Sequence, residues 1–526
     1  MKAAALRRNA SLFLDRALEA RGADAPAFVA CDGTVSWGEL LRRCRAFAGL
    51  LREHGVRRED RLLVALDDTP LFVVAFLGAI RLGAIPVPVN PYHNAAHFTF
   101  FLEDVRPAAV LAGQQSRATV AAAVGACRDG PSVLDERDVD LDRAPEHDRI
   151  AETHADDPGF MLYSSGTTGM PRGVVHLQHD VAVAAEGFPR QVLRMDGADV
   201  TYASAKLSHA YGLANNLLAP LCCAATAVLS TGRSTPASIA ERVRRQRPTL
   251  LFAVPTHYLA IMREGLADGD TFASVRLCVS AGERLAPEVW DGWRAATGHE
   301  ILDAIGSTEL LQMYCSNRPG DIRPGSAGTP VPGCALRVVG QDGLSVPPGQ
   351  VGELHVRSDA ALAYYWHDHE ATKARCRGEW FATGDHFRVD DDGFYWYEGR
   401  TDDMLKVGGL WVSPVEVEDV LATHPQVVSA AVVGVEEEGQ MALRAYVVPD
   451  RPVEHGPALA GELRQLCKER LARHRFPKAI EFVDSLPTAL NGKVQRSELR
   501  KRARGAPGAI RERRGASVPA GTGPGQ

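Results

Sequence analysis

The segment YSSGTTGMPRGVVH, residues 163–176, combines hydroxyl side chains, three glycines and one arginine. Glycines let a ligand approach the backbone closely, and backbone amides together with hydroxyl groups bind phosphate oxygens. Arg172 adds a planar, charged donor that suits phosphate. The spacing differs from the P-loop pattern G-x-x-x-x-G-K-[ST]. The segment is therefore predicted to bind phosphate in another way, with a glycine-rich surface turn as the alternative for this segment by itself.

The composition limits the ligands that the protein can attract through its overall charge. Of the 526 residues, 45% are hydrophobic and 24% are charged, which is ordinary for a globular protein. The formal net charge of −6 provides no basic field for nucleic acid or an anionic membrane. Local cations and backbone amides must therefore hold any anionic ligand, and neither a nucleic acid nor a membrane is expected as a partner.

The cysteines and the apolar stretches indicate a cytoplasmic protein. Ten cysteines are scattered without a CxxC pair, as in proteins whose thiols stay reduced. Charged residues interrupt the N-terminal apolar stretch, which argues against a signal peptide. The segment 207–232 contains Asn215, Asn216 and Pro220, so it is predicted to be buried core and not a membrane span.

Short apolar runs alternate with helical patterns through the first four hundred residues. The run 61–67 is predicted as a strand, residues 71–82 as a helix and residues 84–90 as the next strand. This order predicts an α/β fold, with a large multi-layer N-terminal domain of largely parallel sheets. Ligands gather at the carboxyl ends of parallel strands. The loops SAGE (280–283) and GSTE (306–309) are predicted to lie at such ends.

The order of predicted strands and helices changes after residue 400. Residues 429–449 are predicted as a strand, an acidic turn and a strand, flanked by helical patterns at 414–423 and 458–473. We therefore predict a large domain over 1–401, a hinge at Asp402 and a small, mobile α+β domain over 403–505. Residues 506–526 are rich in Gly and Pro and are predicted to be a disordered tail. The charged segment 126–157 is predicted to be a surface excursion.

Seven motifs in order resemble those of the adenylate-forming superfamily, which includes acyl-CoA synthetases, luciferases and peptide-synthetase adenylation domains. They are the segment around 163–176, SHAYG (208–212), SAGE, GSTE, TGD (383–385), GRTDDMLKVGG (399–409) and NGKVQR (491–496). The resemblance covers nearly the whole chain. It is closest to the benzoate–CoA ligase branch, through AKLSHAYGLANN, DAIGSTELLQMYCSN and RTDDMLKVGGLWVSPVEVE.

The resemblance implies a two-step reaction that uses ATP, Mg²⁺ and CoA. A carboxylate attacks the α-phosphorus of ATP, which gives an acyl-adenylate and pyrophosphate, and a thiol then takes the acyl group and releases AMP. Two anions meet in the first step, so the protein must neutralise charge and fix the geometry. Glu309 offers a hard oxygen ligand for the Mg²⁺ that bridges phosphates, and Thr308 precedes it.

The resemblance also assigns the nucleotide-binding residues. It implies that the β- and γ-phosphates bind the loop formed by Ser164, Ser165, Gly166, Thr167, Thr168, Gly169 and Arg172. The family more often has lysine where Arg172 stands, so the geometry is expected to differ while the charge is kept. For the nucleoside, the resemblance implies an adenine shelf (Ala281, Gly282, Glu283), an acceptor for the adenine amino group (Asp303), a ribose ligand (Asp385) and a ribose or phosphate contact (Arg400).

The small domain is implied to serve both steps by changing its position. The family lysine matching Lys493 reaches the carboxylate and the α-phosphate in the first step only. Rotation at Asp402 is expected to withdraw Lys493 and to present Gly408 and Gly409 beside a thiol tunnel.

Small or flat residues are predicted to form the acid pocket, which suits a planar aromatic ring. They are His209, Ala210, Tyr211, Gly212, Ala281, Ala304, Ile305 and Gly306. Ordinary close packing in the core is the alternative for these residues. The benzoate branch commonly has aromatic residues where Ser208 and His209 stand and often histidine where Gln312 stands, so a hydroxyl or amino substituent could be admitted. His209 also matches a gate between pocket and tunnel, and we predict that it assists thioester formation.

Three other functions stay open at this point. The acyl group could pass to the phosphopantetheine of an acyl carrier protein, and Arg473, Arg475 and Lys478 could contact CoA phosphates, such a carrier, or solvent alone. A luciferase-like oxygenase shares the adenylate. A catalytically silent nucleotide-binding regulator is disfavoured, because the chain contains Glu309, Asp385, Arg400 and Lys493. The sequence leaves open a monomer or a homodimer.

Overall fold

The chain forms two compact units, which are described separately. The computed structural model describes residues 8–127, 130–164, 170–401, 403–407, 410–437, 440–450, 456–487 and 494–505. The units are Met1–Tyr397 and Glu398–Gln526, and the strand Tyr395–Arg400 runs across their boundary. Asp402 and residues 506–526 lie outside the described residues, so the predicted hinge and the predicted tail stay predictions.

The largest sheet of the first unit places several predicted loops at one edge. Its central strands run parallel, from Ile301–Gly306 through to Pro26–Ala30, and antiparallel strands flank them on both sides. In spatial order the strands are Thr329–Pro330, Met313–Ser316, Ile301–Gly306, Leu277–Ser280, Leu250–Ala253, Val200–Ala203, Thr226–Val228, Pro26–Ala30 and Gly33–Ser36. This confirms the predicted α/β class.

A second, all-parallel sheet confirms the strand–helix–strand reading of residues 61–90. Its strands, in spatial order, are Ile85–Pro88, Arg61–Ala65, Ala109–Ala112 and Ser132–Asp135. The last of these corrects the prediction for 126–157, since residues 132–135 are an edge strand and not an excursion. The strand is only four residues long and only Leu134 is buried, so it lacks the apolar run that marks its neighbours.

Two further sheets of the first unit are antiparallel. One consists of Tyr364–Tyr365, Arg172–Leu177 and Pro158–Ser164 in spatial order. The other contains Ala335–Val339, Gly352–Arg357, Trp380–Val389 and Cys376–Arg377. The first holds the two ends of the predicted phosphate segment, and the second holds Asp385.

Helices cover the sheets of the first unit, and their ends follow ordinary capping rules. Thr69 accepts a hydrogen bond from the backbone of Phe72 and Pro70 stands at the first turn, so the helix Pro70–Leu82 begins there. Gly78 lets this helix approach Trp37–Glu53, since an added Cβ would lie 3.0 Å from the Cys44 carbonyl oxygen. The α-helices are Leu12–Arg21, Trp37–Glu53, Pro70–Leu82, Ala95–Val105, Arg117–Gly125, Asp180–Ala185, Ala210–Leu213, Ala219–Cys223, Pro236–Gln246, Pro255–Arg263, Gly269–Phe272, Pro287–Thr297 and His369–Arg375.

Shorter helical turns complete the first unit. π-Helical turns are Glu186–Val192 and Ala214–Leu218, and 3₁₀ turns are Glu136–Asp138 and Thr308–Leu310. No helix in the described part of the chain is long and apolar enough to cross a membrane. All ten cysteines are free, and six of them are buried.

The second unit is a small α+β domain, as the sequence predicted. The strands Val427–Glu437 and Gln440–Pro449 pair antiparallel, and Ala479–Phe482 joins the latter in parallel. The strands Leu405–Val407 and Leu410–Val412 form a separate pair. The helices are Pro414–Ala422, Gly456–Arg470 and Arg496–Gly505, with a 3₁₀ turn at Arg473–Arg475.

Candidate active site

The predicted phosphate segment connects two paired strands. Ser164 ends one strand and lies opposite Arg172, which begins the next, and the Ser164 hydroxyl donates to the Arg172 carbonyl oxygen at 3.4 Å. Ser165, Gly166, Thr167, Thr168 and Gly169 lie outside the described residues, so their phosphate contacts stay predictions. The strand pairing nevertheless fixes where the segment leaves and re-enters the sheet.

Arg172 is anchored by two neighbours. Its Nε lies 3.0 Å from Asp368 Oδ2, and its guanidinium carbon lies 5.1 Å from the centroid of the Tyr365 ring. A cation over an aromatic face is attracted by the ring quadrupole. The side chain is therefore held in place beside Tyr365.

Glu309 meets the same tyrosine from another element. It lies in the turn Thr308–Leu310, directly after the strand Ile301–Gly306. The Tyr365 hydroxyl donates to Glu309 Oε1 at 3.0 Å, and the Leu362 amide donates to the Glu309 carbonyl oxygen at 2.6 Å. Burial and the Glu309 carboxylate both raise the pKa of Tyr365, so its hydroxyl remains a donor. We call Arg172, Thr308, Glu309 and Tyr365 the phosphate side.

The predicted nucleoside residues follow two adjacent parallel strands. Ser280 lies opposite Asp303, and Ala281 and Gly282 continue beyond the first strand. Gly282 has φ +92°, and the nearest atom to an added Cβ is Val254 Cγ1 at 3.8 Å. Its backbone conformation explains the glycine. Glu283 is half-buried one position further on.

Asp303 is a buried residue of the strand Ile301–Gly306. Burial raises its pKa to about 7, against the lowering effect of the Leu285 amide and the Arg284 charge. The Leu285 amide donates to Asp303 Oδ2 at 3.4 Å. In either protonation state the carboxyl keeps an acceptor oxygen, which is what a contact to an amino group needs.

Asp385 lies on the strand Trp380–Val389 and is half-buried. Its amide donates to Thr383 Oγ1 at 3.1 Å, and Thr383 donates to the Leu354 carbonyl oxygen at 2.8 Å. Gly384 has φ +75°, and an added Cβ would lie 2.2 Å from the Arg375 guanidinium. The TGD motif thus has a local structural reason for each of its first two residues.

The acid pocket residues divide into groups. Tyr211 packs against a buried cluster that contains Ala281, Ala304 and Met313. The Tyr211 hydroxyl donates to the carbonyl oxygens of Val279 (3.1 Å) and Ala253 (3.3 Å). We call Tyr211, Ala281 and Ala304 the acid side.

Three predicted wall residues have other surroundings. The Ile305 side chain packs against a different cluster, as expected because strand side chains alternate. An added Cβ on Gly212 would lie 2.2 Å from the Lys206 carbonyl oxygen, and one on Gly306 would lie 2.9 Å from the Gln312 carbonyl oxygen. Both glycines are therefore required by close backbone packing, whatever they contribute to a pocket.

Several polar residues are predicted to affect the acid pocket or lie near one that is. The helix Ala210–Leu213 begins directly after His209. Ser208 is buried, and its Oγ has no hydrogen-bond partner among the described residues. Gln312 is also buried, and its Oε1 accepts from the Met313 amide at 3.0 Å. Burial and the nearby charges of His97 and His209 lower the pKa of His93 to about 4.

Asp67 and Asp68, which no motif singled out, bind the segment that directly precedes Ser208. Lys206 Nζ lies 2.8 Å from Asp67 Oδ1, and the Leu207 amide donates to Asp68 Oδ1 at 3.0 Å. Burial raises the pKa of Asp68 to about 7. The two aspartates directly after a buried strand were the available signal, since such positions often carry function.

The second unit contains the remaining predicted residues. Lys493, Gly408 and Gly409 lie outside the described residues, and Arg400 belongs to this unit. Arg475 is paired with Glu416, so at least one cation of the predicted basic face is engaged inside the unit.

Comparison with known proteins defines the class of this chain. The sequence model of the AMP-binding enzyme family matches residues 14–366, and that of the AMP-binding enzyme C-terminal domain matches residues 416–493. The chain belongs to the AMP-binding enzymes, which confirms the predicted adenylate-forming superfamily.

The most similar relatives include benzoate–CoA ligases. The chain is 38% identical to the benzoate–CoA ligase of Thauera aromatica over 89% of this chain and 91% of that protein. It is 37% identical to the 4-hydroxybenzoate–CoA/benzoate–CoA ligase of Rhodopseudomonas palustris over 93% of each. The predicted benzoate–CoA ligase branch, and with it the class of AMP-forming acid–thiol ligases, is confirmed.

Solved structures agree with this grouping. An anthranilate CoA ligase in complex with anthranoyl-AMP superposes with a TM-score of 0.90 at 35% identity, over 96% of this chain and 99% of that one. A benzoate CoA ligase from Burkholderia xenovorans LB400 gives 0.88 at 38% identity, over 94% and 99%. The fold is therefore that of an adenylate-forming ligase.

Proposed function

We propose that this protein activates a benzoate-type carboxylic acid with ATP and transfers the acyl group to CoA. The observation that carries the proposal is the 38% identity to a benzoate–CoA ligase over 91% of that protein's length. The arrangement of Arg172 and Glu309 around Tyr365 supports it. The first step brings together two anions, the carboxylate and the ATP phosphates, and their charge must be neutralised.

In the first step, a carboxylate oxygen forms a bond to the α-phosphorus. The bond between the α-phosphorus and the oxygen that bridges it to the β-phosphate breaks. Pyrophosphate leaves with that electron pair, and the acyl-adenylate remains. Arg172 and the loop 164–169 would hold the β- and γ-phosphates, while Lys493 would contact the carboxylate and the α-phosphate. These residues place the two anions in line and reduce their repulsion.

Glu309 would provide the protein's ligand to Mg²⁺. Its carboxylate is a hard oxygen donor, and no group of three or more His, Cys, Asp or Glu side chains in the described part of the chain could hold a metal ion. Mg²⁺ commonly takes its remaining ligands from phosphates and water, which fits a single carboxylate. When bound, the ion neutralises phosphate charge.

The nucleoside would bind along the ends of the two parallel strands. Ala281, Gly282 and Glu283 would form the adenine shelf, with Asp303 accepting from the amino group. Asp385 would bind the ribose hydroxyls and Arg400 the ribose or phosphate. The backbone of Gly282, which carries no side chain, and the acceptor oxygens of Asp303 support these roles.

The acid would bind at the acid side, where small side chains lie beside a fixed tyrosine ring. Tyr211 is held by two backbone carbonyls, so its ring presents a rigid flat face. Ala281 and Ala304 are buried in the cluster against which Tyr211 packs, and their small side chains would suit a planar ring. Polar groups would come from Ser208 and His209, which directly precede the helix Ala210–Leu213, and from Gln312, which directly precedes the strand Met313–Ser316.

In the second step, the CoA sulfur forms a bond to the acyl carbon and AMP leaves with the electron pair of the broken acyl–phosphate bond. Asp402 would be the hinge at which the small domain rotates, with Gly408 and Gly409 beside the thiol and His209 as the gate. Because both ATP and CoA are required, we place the enzyme in the cytoplasm. A monomer or a homodimer is compatible with this role.

A carrier protein is the second candidate acceptor. The chain is 32% identical to a p-hydroxybenzoic acid–AMP ligase of Mycobacterium marinum, over 93% of this chain and 68% of that protein. Because that relative is an acid–AMP ligase, a carrier protein stays the second candidate for the acceptor of the acyl group.

The test is pyrophosphate release with a panel of benzoates, cinnamates, amino acids and fatty acids, with and without CoA. Turnover selective for a benzoate, dependent on CoA and yielding its CoA thioester, is the expected result. Adenylate formation that CoA fails to discharge would instead indicate a carrier protein. Selectivity for a non-aromatic acid would contradict the proposal.

A further inference from the structure

One face of the strand Arg172–Leu177 contacts both the side chain of Tyr365 and the turn Thr308–Leu310. Side chains two and four positions apart in a strand point to the same face, so Arg172, Val174 and His176 share one. Tyr365 lies directly opposite Val174 in the neighbouring antiparallel strand, so it shares this face as well. Val174, Tyr365 and Leu310 belong to one buried cluster. The turn Thr308–Leu310 therefore packs on this face.

His176 lies fully buried beneath that turn. Its Nε2 is 2.8 Å from the Thr308 carbonyl oxygen, and its Nδ1 is 2.9 Å from Asp180 Oδ2. The ring stacks on Phe160 with centroids 5.1 Å apart, which limits its rotation. Asp180 is buried too, and its Oδ2 also accepts from the Leu177 amide at 3.0 Å.

The hydrogen-bond partners determine where the imidazole carries a proton. A carbonyl oxygen only accepts, so Nε2 must be the N–H that faces Thr308. Nδ1 then either donates to the ionised Asp180 or accepts from the protonated acid. In both cases Asp180 fixes the ring so that Nε2–H points at the carbonyl of Thr308.

We propose that His176, oriented by Asp180, is a positioning residue for Thr308 and Glu309 in the adenylation step. This rests on the proposed function, because Glu309 needs a fixed position only if it serves the ATP phosphates. Partners that orient a metal ligand typically contribute about 10- to 100-fold to activity or metal affinity. No sequence pattern predicts this contact, because 132 positions separate His176 from Thr308.

Two substitutions of His176 separate positioning from bulk stability. In His176→Gln the amide nitrogen reaches the place of Nε2 and keeps a donor for Thr308. In His176→Asn the shorter side chain places its amide near Nδ1 and loses that donor. Both variants are neutral and polar, so they differ chiefly in whether Thr308 keeps its partner.

The experiment measures both half-reactions in each full-length variant. Acid-dependent ATP–pyrophosphate exchange reports the first, and thioester formation from supplied acyl-adenylate and CoA reports the second. For His176→Asn we expect a loss of about 10- to 100-fold in exchange with a higher Mg²⁺ requirement, and a second step within about twofold of wild type. His176→Gln is expected to recover most of the exchange.

Asp15→Asn provides the control for a disturbed buried charge. Asp15 pairs with buried Arg81 at 2.7 Å, on a helix that carries no predicted site residue. We expect it to change thermal stability without separating the two half-reactions. If His176→Asn does not fold, Asp180→Asn takes its place, with a smaller loss confined to the first step.

Equal losses in both half-reactions, or equal exchange rates in the Asn and Gln variants, would overturn the positioning role. Failure of the proposed function would look different, since the wild-type protein would then activate no benzoate. In that case the variants would be compared with whichever acid the wild type activates.

Discussion

The phosphate side and the acid side are each organised around a tyrosine, but the two hydroxyl groups serve different partners. Tyr365 donates to the carboxylate of Glu309 and lies under the guanidinium of Arg172. Tyr211 donates to two backbone carbonyls and packs beside alanines. Charge therefore organises the first region, whereas shape organises the second.

This difference fits the roles proposed for the two regions, which are binding of the ATP phosphates and binding of the acid. ATP is the co-substrate whichever acid is activated, so fixed charges can bind its phosphates. Such charges act most strongly when they are buried. The acid varies among relatives, and small side chains change the shape of a pocket without disturbing those charges. The strand Ile301–Gly306 connects both regions, because it carries Ala304 and leads to Thr308. Substitutions should therefore separate ATP effects from acid effects.

The largest effect is expected for Lys493→Ala. Loss of one group that stabilises developing charge typically lowers a rate by about 100- to 1,000-fold. We expect that loss in adenylate formation, with thioester formation from supplied acyl-adenylate retained. Lys501→Ala is the matched control, since Lys501 is an exposed lysine of the same unit paired with Glu498. Comparable loss in both half-reactions would remove Lys493 from its proposed role.

A smaller loss is expected for Tyr365→Phe. Hydrogen bonds to charged groups contribute about 1.5–3 kcal/mol, so adenylation should slow by roughly 10- to 100-fold. The KM for the acid should stay unchanged, because the effect acts through Glu309. Tyr395→Phe is the matched control, since Tyr395 is a buried tyrosine whose hydroxyl donates to the Leu336 carbonyl oxygen. A Tyr365→Phe enzyme with normal exchange would show that Glu309 needs no such anchor.

On the acid side, Ala304→Val should change the acid and leave ATP alone. Added methyl groups in a close-fitting pocket shift discrimination by about 1–3 kcal/mol, so the KM for benzoate should rise about tenfold. The KM for ATP should stay within about twofold by the same argument. Steady-state kinetics with each substrate varied gives both constants, and Ala112→Val, at a buried strand end in the other parallel sheet, controls for general overpacking. A parallel rise in both KM values would break the distinction between the two regions.

The smallest effect is expected for His209→Ala. Removing a gate that contributes roughly 1 kcal/mol would slow thioester formation about fivefold. Adenylate formation should hardly change. Single-turnover rates of the two steps provide the measurement, and a slowed first step with an unchanged second would argue against the gate.

The sequence predicted the residues with local signatures better than their partners. Motif spacing pointed to Arg172 and Glu309, and the apolar runs predicted the parallel strands. Tyr365 and His176 could not be predicted as their anchors, because these contacts join residues 56 and 132 positions apart. Such contacts depend on how strands and turns pack against each other. The hydrophobic periodicity of the sequence does not predict that packing.

Two features of the site had signals that were available in the sequence. Ile305 follows Ala304 in a strand, so alternation already placed their side chains on opposite faces. The Asp67–Asp68 pair follows the strand Arg61–Ala65, at a place where ligands and functional groups gather. The short edge strand Ser132–Asp135 had no comparable signal, since only one of its residues is buried.

The most direct test of the whole account is a quenched single-turnover experiment with benzoate, ATP and excess enzyme, followed by addition of CoA. We predict that benzoyl-adenylate and pyrophosphate accumulate stoichiometrically without CoA. On adding CoA, the adenylate should convert to benzoyl-CoA with release of AMP. Formation of ADP and phosphate, or no acid-dependent adenylate at all, would contradict the account.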